Sequence, residues 1–132
     1  LLAQALIGLR PDLTLKPAPE LVEFDFGHWE GCAWDAIERA NIDAWTAQFA
    51  HYRPGSGDNL VAMLARVASA LRGAQQECAE GTDVLWITHA GVARCVQWLL
   101  HAAPGAVPRA DQWPRSAPGY GEWVCFTLPQ PV

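Results

Sequence analysis

Asp83-Val84-Leu85-Trp86-Ile87-Thr88-His89-Ala90-Gly91-Val92 is the stretch on which the fold turns. Asp83 to Thr88 reads as a continuous apolar run after the Gly81-Thr82 break, which fits a strand covered on both faces, as in a parallel sheet with helices on each side. The run ends on a histidine, small residues follow, and a helix over Val92 to His101 begins at once. That order places His89 at the carboxyl edge of the sheet, beside the free N–H groups of a helix N-terminus, which is an anion site by geometry. A histidine there can add a charge-assisted hydrogen bond to a phosphate. The pattern alone fits equally well a histidine bonded to a backbone carbonyl at a strand end.

Outward from this centre, Leu60, Met63, Leu64, Val67 and Leu71 recur at helical spacing, the best such stripe in the chain. The breaker cluster Arg53-Pro54-Gly55-Ser56-Gly57-Asp58 precedes it, with Asp58 or Asn59 placed to cap the helix. Trp34, Ile37, Asn41/Ile42, Trp45 and Phe49 predict a second amphipathic helix. Leu1 to Leu9 is an apolar helix that should stop near Arg10-Pro11. Leu13 to Lys16 alternates like a short strand, and Trp123 to Leu128 reads as another, ended by Pro129. Pro104 to Gly119 is a loop. Helices alternating with strands predict an α/β layered domain.

The chain of 132 residues is 51% hydrophobic and 17% charged, which excludes general disorder and is the size of one domain. Nine Lys+Arg against fourteen Asp+Glu give a net charge of -5, with no basic stripe for nucleic acid or anionic lipid. No apolar run approaches the ~20 residues needed to span a bilayer, and no signal peptide is visible at the start. Cys32, Cys78, Cys95 and Cys125 lack CxxC spacing and read as reduced, small hydrophobes. A cytoplasmic protein without nucleic-acid or membrane partners is expected. The apolar opening has no capping residue and no initiator Met, so the chain is expected to be an N-terminally truncated single domain over 1–132.

A second stretch, Leu21-Val22-Glu23-Phe24-Asp25-Phe26-Gly27-His28-Trp29-Glu30-Gly31, mixes aromatics, acids and glycine without a clean period. Glu23 lies among Val22, Phe24 and Trp29, a setting that would desolvate a carboxyl and favour its protonated form, as a general acid requires. The competing reading is that Glu23 and Asp25 are solvated loop residues.

Together these motifs resemble the histidine phosphatase family, of the phosphoglycerate-mutase-like superfamily, and within it the small phosphatases of the α-ribazole phosphatase kind. The resemblance rests on Leu21-x-Glu23-x-Asp25-Phe26-Gly27-x-Trp29-Glu30-Gly31, then Pro54-Gly55-x-Gly57-Asp58-Asn59 before a helix containing Arg66-Val67, then Ile87-Thr88-His89-Ala90-Gly91-Val92-x-Arg94. It implies a three-layer α/β/α fold with a mostly parallel sheet, here missing its N-terminal strand or strands. It implies hydrolysis of a small phosphorylated metabolite through a phosphohistidine, and no cofactor or metal. Glu23 is similar to the family's proton donor. His89 is similar to its second phosphate-pocket histidine, assisted by the Ala90 N–H.

The family's nucleophile lies in an Arg-His-Gly motif, and none of the four histidines here is preceded by Arg and followed by Gly. Two readings therefore stand: a phosphomonoesterase whose nucleophile-bearing part is absent, so that this chain alone is inactive, or a non-catalytic phosphate-ligand binding or interaction module of the same fold. The interval from Glu23 to Asp58 is too short for the insertion mutases carry there, which favours phosphatase over mutase. His28 and Cys32 have the spacing of a metal pair, but no second pair accompanies them and Gly31 argues against a helix. His51 and His101 carry no signal. A serine-hydrolase elbow and a Walker loop are both missing.

Overall fold

Four α-helices order the described residues, 1–130, of the computed structural model: α1 (Leu2–Leu9), α2 (Arg39–Ala47), α3 (Leu60–Ala79) and α4 (Ala90–His101). Along α3 the stripe read from the sequence is buried at Leu60, Met63, Leu64, Val67 and Leu71. Asn59 fixes its start, because its Oδ1 accepts the Ala62 N–H at 2.9 Å and so satisfies one orphan donor of the first turn. Asn59→Ala should cost about 1 kcal/mol in a denaturation measurement. An unchanged midpoint would mean that the cap does not hold this helix end.

The buried face of α3 meets Val92, Cys95 and Val96 of α4, and Leu21 closes the same core. Trp86, Trp98, Trp113, Phe126 and Leu128 pack around it. At the front of the chain, α1 ends at Leu9 with Arg10 as its C-cap, where Pro11 denies it a continuation, and it buries none of its residues. The amphipathic stretch from Trp34 divides into a 3-10 turn at Trp34–Ala36 and then α2. Ala90 begins α4, two residues before the Val92 expected.

The sheet is the expectation that fails. Among the described residues none is in a β-strand, so the three-layer α/β/α architecture and the strands expected at Leu13 to Lys16, Asp83 to Thr88 and Trp123 to Leu128 are corrected. A ladder needs a second extended segment to take up its N–H and C=O groups. Asp83 to Thr88 make no backbone–backbone hydrogen bond among the described residues. Nor is the run covered on both faces: Val84, Leu85 and Ile87 are exposed, and only Trp86 packs on the core. Apolar composition states that a segment can be buried, not what lies beside it.

Short 3-10 turns at Pro19–Leu21, Gly27–Trp29 and Pro54–Ser56 shape the loops before α3. Two of them interlock through glycine. Gly27 (φ +56°) and Gly55 (φ +62°) lie so close that a Cβ on Gly27 would fall on the Gly55 carbonyl, and one on Gly55 on the Phe26 carbonyl. The Asp58 N–H donates to the Asp25 carbonyl at 2.7 Å, while the Asp25 N–H donates to Asp58 Oδ2 at 3.1 Å. An aromatic cluster braces the same loops, with Trp45 stacked on both Trp34 and Phe49 and meeting Trp29 edge-on.

Candidate active site

His89 is the N-cap of α4, with extended backbone (φ −124°, ψ 160°); the residue is exposed, and its side chain makes no capping bond among the described residues. Its carbonyl accepts the Val92 and Ala93 N–H groups at 3.1 and 3.2 Å. The Gly91 N–H donates instead to Glu23 Oε2 at 3.3 Å. Ala90 N–H donates no hydrogen bond among the described residues. The fold thus brings Glu23 and His89, sixty-six positions apart by their numbers, to one helix end.

Glu23 is held there from its own loop. Its Oε1 accepts the Phe24 N–H at 2.9 Å, and its carboxylate lies against Gly91 so closely that a Cβ on Gly91 would collide with Oε1. The enclosure expected from Val22, Phe24 and Trp29 is not formed: Glu23 is exposed, Val22 is 54% exposed, and Trp29 turns into the interior. Alternation of apolar and acidic residues in an irregular loop does not determine which way each side chain faces.

Beneath the site, Thr88 Oγ1 donates to the Leu21 carbonyl at 2.6 Å. The Arg66 guanidinium reaches the carbonyls of Glu20 at 2.7 Å and Val22 at 2.6 Å, with Asp58 Oδ2 at 3.4 Å. The motif residue Arg66 carries no assigned role in the sequence, and Asp58, a candidate cap of α3, instead meets Arg66 and the Asp25 N–H while Asn59 takes the cap. The partners of Arg66 and Asp58 are mainly backbone groups of another loop, which leave no pattern in residue types. His28 stands apart from the site as an exposed residue whose carbonyl accepts the Cys32 thiol at 3.5 Å. Among the described residues no cluster of three or more His, Cys, Asp or Glu side chains is placed to hold a metal ion.

Cys95 lies buried on the α4 side of the core, and burial pushes its thiol up to about 12; the charge of Arg66 opposes this and that of Glu23 adds to it. The neutral thiol is the form the fold accepts. Its stability contribution is therefore whole below the ordinary thiol value of ~8.5 and is lost as pH climbs toward about 12. At pH 8 an aromatic disulfide reagent should modify exposed Cys32, Cys78 and Cys125 in the native protein, and Cys95 only after unfolding. Four thiols reacting at one rate would contradict this burial.

The model of the histidine phosphatase superfamily (branch 1) matches residues 3–116. No curated protein and no solved structure matches the chain. No helix of the described residues is long and apolar enough to cross a membrane.

Proposed function

The chain belongs to the histidine phosphatase superfamily, and from that premise we propose that it carries the acid and the phosphate pocket of a phosphomonoesterase acting on a small phosphorylated metabolite. The observation that carries this reading is the meeting of Glu23 with the N-terminus of α4, where the exposed His89 and an Ala90 N–H unbonded among the described residues can receive an oxyanion. His89 supplies a ring donor and Ala90 a backbone donor to phosphoryl oxygens, whose charge they offset while the group is in transit. Glu23 protonates the departing alkoxide as the ester O–P bond breaks and the phosphoryl group passes to an acceptor histidine. In the second half, the Glu23 carboxylate takes a proton from water as water attacks phosphorus and the N–P bond breaks. A substrate of the α-ribazole phosphate kind is the finer reading that the motifs favour.

The acceptor is the part that the 132 residues do not provide, since no Arg-His-Gly occurs among them. These residues by themselves should not hydrolyse p-nitrophenyl phosphate; turnover that disappears on Glu23→Gln would overturn that expectation. The experiment that decides the reading is to sequence the gene upstream of the Leu1 codon and assay its full product. An in-frame Arg-His-Gly and phosphomonoester hydrolysis are expected. A start codon at Leu1, with no hydrolysis and phosphate still bound, would favour the non-catalytic binding module.

A further inference from the structure

The segment carrying Glu23 has no regular element beyond short 3-10 turns, yet each of the four carbonyls from Glu20 to Glu23 is taken by a side chain of α3 or of the segment leading into α4. Arg66 Nη1 donates to Glu20 O at 2.7 Å and to Val22 O at 2.6 Å, and Arg66 Nη2 lies 3.4 Å from Glu23 O. Thr88 Oγ1 donates to Leu21 O at 2.6 Å. A guanidinium presents its donors in one rigid plane, so it can join several carbonyls at once, which an ammonium cannot do in a fixed geometry. The Arg66 side chain is itself aligned by Asp58 Oδ2 at 3.4 Å, and only 21% of it is exposed.

Two elements therefore grip the backbone immediately before Glu23. What remains to the residue is its own side-chain torsions, and these bring the carboxylate to the Gly91 N–H at 3.3 Å. We propose that Arg66 is a positioning residue that holds Glu23 over the N-terminus of α4. The functional meaning of that position rests on the reading of Glu23 as the proton donor. Arg66 itself touches no reacting atom.

The test is a double-mutant cycle read by NMR at the Gly91 amide of the whole 132-residue chain. In the Arg66 background, Glu23→Gln removes the charge from the acceptor of the Gly91 N–H and displaces that resonance. In the Arg66→Lys background the same substitution should displace it less than half as far, because lysine keeps the charge and loses the planar fork. Equal displacement in both backgrounds overturns the proposal. Amide signals of Val67, Val92 and Val96 report whether the core is intact. Should Arg66→Lys fail to fold, Asp58→Asn carries the test, since it leaves Arg66 present without the carboxylate that aligns it; a reduced displacement supports the proposal and an undiminished one overturns it. The Gly91 readout needs no turnover. Inorganic phosphate that shifts neither His89 nor Ala90 in the unsubstituted chain would count against the phosphatase reading alone.

Discussion

In a form of the protein that turns over phosphomonoesters, Glu23→Gln is expected to slow hydrolysis of alkyl phosphates by roughly 10²–10⁴-fold, the contribution of a positioned acid. An alkoxide is a poor leaving group and requires the proton as the O–P bond breaks. The p-nitrophenolate anion requires little, so p-nitrophenyl phosphate should lose less in the phosphoryl-transfer step. The contrast between the two esters separates proton donation from other roles of the same carboxylate. Equal losses in that step for both would mean that Glu23 shapes the pocket or orients water.

Gly91→Ala should reproduce much of that loss without removing the acid. A Cβ at position 91 would overlap Glu23 Oε1 and approach Met63 Cε to 3.3 Å. The carboxylate is the far end of a flexible side chain and gives way, whereas Met63 is almost wholly buried against the core. Alanine is also the better helix former, so α4 itself should not suffer. Displacing the acid by about 1 Å can cost on the order of 10²-fold in rate. Alkyl phosphate hydrolysis should fall by about that factor while the thermal midpoint holds. Full activity in Gly91→Ala would show that the contact between Glu23 and α4 is not the working position.

What the sequence disclosed follows from how local each signal is. The α3 stripe and its Asn59 cap depend on residues within a few positions of one another, and the structure has both. The small residues after His89 announced the start of a helix for the same reason, although α4 begins at Ala90. The apolar composition of Asp83 to Thr88 permits burial and so suggests a strand. Pairing is a non-local property, and among the described residues that run has no ladder partner. The desolvation expected around Glu23 failed on a related ground, since Val22 faces outward and Trp29 inward across an irregular loop. Arg66 was visible only as one residue of a motif. Its targets are the carbonyls of Glu20, Val22 and Glu23, and every residue type has a carbonyl.

The proposed function requires that the N-terminus of α4 bind phosphate next to Glu23. A crystal structure of the protein soaked with orthovanadate measures this without requiring turnover. The tetrahedral or trigonal anion should lie within hydrogen-bond distance of the His89 ring and the Ala90 N–H, with the Glu23 carboxylate alongside it near Gly91. Vanadate bound at another place, with the His89 ring and Ala90 N–H making no contact to it, would contradict the account.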